Sequence, residues 1–134
     1  DPRYTSNTVF DSFPWPQTPT QKQVEAISNR AFKLRQLRNK MISENNMTLR
    51  ELYRTLDLPG NNPLKNVQDD LDKAVKAAYK MKSTDNVLEF LFELNLTLSS
   101  KEKKGQKIAG PGIPENLKEA FSFQSSDCIK PNKI

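Results

Sequence analysis

The chain has 134 residues, 35% of them hydrophobic, and a formal net charge of +5. That length fits one domain, and no apolar run is long enough to span a bilayer. There is no His and only one Cys, Cys128, which excludes histidine-activated nucleophiles, histidine metal sites, zinc fingers and any disulfide within the chain.

Residues 1–17 read as an extended segment. Tyr4-Thr5-Ser6-Asn7-Thr8-Val9-Phe10 has β-type residues in rough alternation and predicts a strand. In Phe13-Pro14-Trp15-Pro16 two prolines bracket the only Trp, so the segment cannot be helix interior. Phe13 and Trp15 are expected to anchor it as an apolar plug over the end of a helical bundle. The bundle is expected over residues 18–99. Its first helix should run from Pro19 to Ser43, with Thr18 as N-cap and Pro19 at the first helical position. Val24, Ile27, Ala31, Leu34, Leu37, Met41 and Ile42 share one face. Arg38 falls inside that face, and Lys33 and Lys40 fall opposite it.

Thr48-Leu49-Arg50-Glu51 has capping-box spacing and predicts a short second helix with Leu49, Leu52 and Tyr53 on its apolar side. Leu58-Pro59-Gly60-Asn61-Asn62 is a turn cluster. The third helix should begin at Pro63 with Asn62 as cap, burying Leu64, Val67, Leu71, Val75 and Ala78, with Ala74 and Tyr79 at the margins. Its acids come early and its lysines late, which suits the helix dipole. That order also suggests the pairs Asp69–Lys73 and Asp72–Lys76. A fourth helix should start near Ser83 or Thr84. Phe92 to Leu98 alternates and also fits a strand, but length and a cap favour helix. With Val87, Phe90, Leu91, Leu94 and Leu98 on one face and Leu88, Phe92 and Leu96 on another, this helix should be the central one. Residues 100–134 read as a basic linker, Lys101 to Lys107, then a breaker run, Ala109 to Pro114. One or two helical turns near Glu115–Phe121 and a poorly ordered tail should follow. The expected class is all-α: three longer helices plus one short, behind an extended Pro-Trp-Pro segment.

No catalytic constellation is present. Asn61-Asn62-Pro63-Leu64 lacks the second proline and the aromatic of a base-flipping loop, and reads as a helix cap. Glu102-Lys103-Lys104 lacks the strand and the upstream acid of a nuclease motif. Charge is more informative. From Pro19 to Ser43, six basic residues stand against Glu25 alone, a net +5 in one helix. A basic stripe on one element is the footprint of a polyanion partner. Arg30, Lys33, Arg35 and Lys40 are the candidate phosphate contacts, with Lys101, Lys103 and Lys104 as a flexible second patch.

Four segments in order then suggest a family. Phe13-Pro14-Trp15-Pro16 with the helix behind it is the first, and Leu49-Arg50-Glu51-Leu52-Tyr53 the second. Leu71-Asp72-Lys73-Ala74-Val75-Lys76-Ala77-Ala78-Tyr79 and Val87-Leu88-Glu89-Phe90-Leu91-Phe92-Glu93-Leu94 complete the set. Together they resemble the C-terminal helical domain of large adenine-specific DNA methyltransferases of the MmeI-like, single-chain restriction–modification type. The likeness covers roughly residues 4–98, and none of the four segments is catalytic.

The resemblance implies a parent enzyme that uses S-adenosylmethionine to methylate the exocyclic amine of a flipped adenine in duplex DNA. Its catalytic part would lie upstream of Asp1. The chain opens without Met or a signal-type segment and reads as a piece of a longer, cytoplasmic protein. The target-recognition region would end near Arg3–Phe10 and be braced by the helices. No cofactor site is expected in this piece. Its partners would be double-stranded DNA and the upstream methyltransferase and target-recognition domains, with no membrane. Two functions stay open: an accessory domain whose basic helix positions the enzyme on phosphates, or a protein–protein docking module with no DNA contact.

Overall fold

Local hydrogen bonding decides where each helix of this chain starts and stops, and a computed structural model shows the outcome for residues 13–112 and 116–117. Among them the regular structure is all helical: α1 (Gln21–Asn45), α2 (Leu49–Arg54) with a 3-10 turn (Thr55–Asp57), α3 (Pro63–Ala78) and α4 (Val87–Lys103). Three longer helices and one short one match the expected class. The expected strand at Tyr4–Phe10 lies outside the described residues, as does most of Glu115–Phe121. No helix among the described residues is long and apolar enough to cross a membrane.

The helices form two compact units. Gln21–Ser83 is one, and residues 13–20 with those from Thr84 onward make the other. In the first unit α1 and α3 pack along their lengths in antiparallel order. Gln23 Nε2 donates to the Ala77 carbonyl at 3.0 Å, and Arg30 shares a groove with Asp70 further along. The α1 face turned inward runs Gln23, Ile27, Arg30, Leu34, Leu37, Met41, all half-buried. Those steps of four and three residues give a coiled-coil-like seam. On α3 the matching seam is Leu64, Val67, Leu71, Ala74, Ala78, with Leu64 at 0% and Ala78 at 3% exposure. Ala74 is buried rather than marginal, and Ala31, expected inside the α1 face, is exposed. Its phase puts it at the seam's edge, where a methyl group gains little from burial.

Caps fix the register. Thr48 Oγ1 accepts from the Glu51 amide at 3.2 Å while Glu51 Oε2 accepts from the Thr48 amide at 3.1 Å, the expected capping box. Asn62 Oδ1 accepts from the Leu64 amide at 3.0 Å. Asn62 Nδ2 also donates to the Thr55 carbonyl at 3.1 Å, so one side chain caps α3 and ties it to the 3-10 turn. Leu52 of α2 is fully buried, but Leu49 is 48% exposed. It sits at the free end of a helix too short to carry it under cover.

Helix starts differ from expectation at two places. α1 begins at Gln21 because the Pro19 carbonyl accepts from Asn116 Nδ2 at 2.9 Å instead of opening a helical turn. α4 begins at Val87 because Asn86 Oδ1 takes the Glu89 amide at 3.1 Å, leaving Ser83 and Thr84 in a turn. Helix stops share one device. One residue past α1 and two past α3 and α4 the chain turns left-handed: Asn46 at φ 51°, Lys80 at φ 60°, Gly105 at φ 74°. After α4, Gly105 N–H reaches Glu102 O and Gln106 N–H reaches Lys101 O, both at 2.9 Å. That is the Schellman pattern.

The α4 unit differs from expectation in kind. α4 was expected to be central, yet only Leu98 is buried, while Leu88, Phe92 and Leu96 are 79%, 64% and 55% exposed. Phe90, Leu91 and Leu94 are half-covered, so one of the two apolar faces is used and the other is not. Trp15 is half-buried in this unit and Phe13 is 38% exposed, their rings 5.0 Å apart and tilted by 56°. The segment is held by Gln17, whose Oε1 accepts from the Ala109 amide at 2.8 Å and whose Nε2 donates to the Trp15 carbonyl at 2.7 Å.

Candidate nucleic-acid interface

The basic residues of α1 do not form a single patch. An α-helix advances about 100° per residue, so Lys33 and Lys40 lie within about 20° of one line, whereas Arg35 lies about 160° from Lys33. All three are exposed. Lys22, also exposed, falls on the same line one end away. Lys22, Lys33 and Lys40 thus mark a row about 27 Å long. Sequence reasoning counted Lys22 in the charge but missed it as a site residue. The signal was present, since 22 and 40 are separated by five full turns.

Arg30 stands apart from this row. It belongs to the α1–α3 seam, and its Nη1 donates to the Ala26 carbonyl at 3.3 Å. With Lys22 and Lys73 it borders a groove of about 300 Å³ between the two helices, in which Asp70 is the one acid. The groove exists because Ala26, Ala74 and Ala77 line it, leaving space that a larger seam residue would fill. Arg30 is half-buried along it. Arg30 therefore sits on the packing side of α1, at the groove that Lys22 also borders.

Lys40 is also partly engaged. Its Nζ lies 4.0 Å from Glu44 Oε1, with the two side chains 66% and 61% exposed. An ion pair this open is weak and screened by salt, so it competes poorly with a polyanion. On α3, neither Asp69–Lys73 nor Asp72–Lys76 closes to an ion pair among the described residues, and all four side chains are exposed. Water solvates them better than a strained rotamer would pair them.

The second basic patch is more rigid than expected. Lys101 and Lys103 lie in the last turn of α4 and Lys104 caps it, held by the Gly105 turn. The helix continues because Ser99 to Lys103 contains no breaker and Gly105 is the first residue that favours left-handed geometry. Cations at that end also complement the helix dipole, which accounts for them without a ligand.

Phe32 projects from α1 with 59% exposure, about 100° around from Lys33. It is the one large apolar side chain of α1 that is exposed. The Tyr79 hydroxyl is pushed above its usual value by burial at the end of α3. No family model matches the chain, and no curated protein or solved structure matches it either.

Proposed function

We propose that this chain is a non-catalytic helical domain of an S-adenosylmethionine-dependent, adenine-specific DNA methyltransferase. It braces the target-recognition region and contacts duplex phosphates through α1. The methyltransferase assignment rests on the four ordered segments described above. The phosphate contact rests on one observation: Lys22, Lys33 and Lys40 are exposed on one line of a single helix. Three cations in a row, spaced well beyond neighbouring phosphates, neutralise separate phosphates and set orientation without reading bases. Catalysis and cofactor binding belong to the parent's upstream part, so the domain's own contribution is position and affinity.

Duplex binding by this chain across a salt series tests the reading. Log affinity should fall linearly with log salt, and Lys22→Ala, Lys33→Ala and Lys40→Ala should each reduce the slope by about one unit. Arg35→Ala, on the far side of α1, should leave the slope nearly unchanged. An equal loss for Arg35→Ala would mean diffuse charge rather than a face, and no binding at low salt would remove DNA contact altogether.

Phe32 favours a second reading. A 59% exposed phenylalanine about a quarter-turn around from the lysine row suits a protein surface better than a phosphate backbone. On that reading the basic face docks on acidic surface of the upstream domains. Phe32→Ser would then weaken binding to the separately expressed upstream region and leave any DNA affinity untouched.

A further inference from the structure

Leu88, Phe92 and Leu96 form a stripe on α4 with exposures of 79%, 64% and 55%. Four-residue steps drift by only about 40° each, so the three side chains stand one above another along one face. Single exposed leucines are ordinary, but an aligned apolar row is the mark of an interaction surface. The face is rigid, since Asn86 caps one end of the helix and the Gly105 turn closes the other. Its borders are unequal. Glu89 and Glu93, both exposed, follow Leu88 and Phe92 by one position and line one edge with carboxylates a turn apart. The opposite edge carries Asn95, Ser99 and, a turn further on, the exposed Glu102, so it offers no cation.

We propose that this face docks an amphipathic helix of a partner protein. The partner's apolar residues, spaced by three and four, seat on Leu88, Phe92 and Leu96, and its Lys or Arg side chains on one flank pair with Glu89 and Glu93. Charge selects this occupant over others. A second copy pairing about Phe92 brings the glutamate edge against itself when antiparallel and against Asn95 and Ser99 when parallel, so neither orientation supplies a cation. Beside Leu88 and Phe92 the same two glutamates disfavour an anionic lipid surface or a nucleic acid; Lys101, Lys103 and Lys104 lie beyond that stretch, at the end of α4. A partner helix packs on such a stripe as one helix face on another, and this surface is independent of the lysine row on α1.

The test uses the full chain and two synthetic helical peptides with the same leucine heptads, one flanked by lysines and one by glutamates. The lysine-flanked peptide should shift α4 amides in heteronuclear NMR spectra and bind about tenfold more tightly than the glutamate-flanked one. Phe92→Asp should weaken it about tenfold with an unchanged circular dichroism spectrum, because the ring is mostly in water already. Glu89→Lys combined with Glu93→Lys should invert the preference between peptides. Equal binding of both peptides, or of neither, overturns the proposal. So does a dimer in sedimentation that Phe92→Asp abolishes, which would make a second copy the occupant, or binding to phosphatidylserine vesicles, which would make it a membrane.

Discussion

α3 and α4 are nearly the same length, and they dispose of their apolar residues in opposite ways. α3 is polar on most of its girth, yet it hides Leu64, Ala74 and Ala78 almost completely against α1. α4 is far more apolar, yet it buries only Leu98 and leaves Leu88, Phe92 and Leu96 in water. The difference teaches that hydrophobicity along a helix measures what the helix would gain from cover, while burial depends on whether the fold supplies a complementary seam. α3 meets a seam of matching period on α1. α4 has two apolar faces, and its own unit covers one.

The sharpest way to break this contrast is to truncate one residue from each side of it. Leu64→Ala removes a side chain at 0% exposure and should cost about 2–5 kcal/mol in urea unfolding. Leu52→Ala, equally buried, should behave alike. Leu88→Ser, at 79% exposure, should stay within about 0.5 kcal/mol of the parent chain. A large loss for Leu88→Ser would mean that α4 is covered after all and would return it to the central role its composition suggests.

Trp15 lies between those extremes. A fully buried tryptophan loses about 3–5 kcal/mol on truncation. Trp15 is half-buried and packs at a tilt against an exposed Phe13, so Trp15→Ala should cost about 1–2 kcal/mol. Gln17→Ala should cost about 1 kcal/mol, because the Ala109 amide then loses its partner. If the Gln17 variant proves the worse of the two, the segment is held by its polar clasp rather than by its rings. Thermal unfolding of the two variants side by side decides this.

What was legible in the sequence follows the range of the interactions. Thr48 with Glu51, and Asn62 ahead of Pro63, are caps made within three residues, and both stand where their spacing puts them. The α4 start was misplaced because Ser83, Thr84 and Asn86 are all competent caps, and only geometry chooses among them. The all-helical class and the count of elements came from periodicity and hold. Partnership was not legible. Arg30 sits on a seam position because α3 offers alanines opposite it, and nothing in α1 alone records that. Lys22 lay five turns from Lys40 and was readable as part of the row. Gln17 was not, since a lone glutamine between turn residues has no pattern. The row itself was only half readable, because Arg35 shares the segment's charge but not its face.

The helix ends give a finer comparison. α4 ends on Gly105 at φ 74° and α3 on Lys80 at φ 60°, with the same paired amide bonds behind them. Glycine adopts that geometry without penalty, whereas a side chain is strained by about 1 kcal/mol. Gly105→Ala should therefore destabilise by about 1 kcal/mol and Lys80→Gly should stabilise by about 0.5–1 kcal/mol. A loss on Lys80→Gly would show that the lysine chain contributes more than its backbone costs.

Tyr79 supplies the smallest effect and the only one set by pH. Burial raises its hydroxyl above the ordinary value of 10.0, so the folded chain holds the phenol proton more tightly than the unfolded chain does. The stabilisation is complete below the unfolded value and is lost as pH climbs from there through the folded one. Urea midpoints should therefore fall between pH 9 and 11 in the parent chain, and the part due to Tyr79 should vanish in Tyr79→Phe. The difference between the two chains, rather than either curve, carries the result, because it isolates the phenol. A difference that stays flat across the window would place the Tyr79 hydroxyl in water, and with it the end of α3 outside the seam that distinguishes α3 from α4.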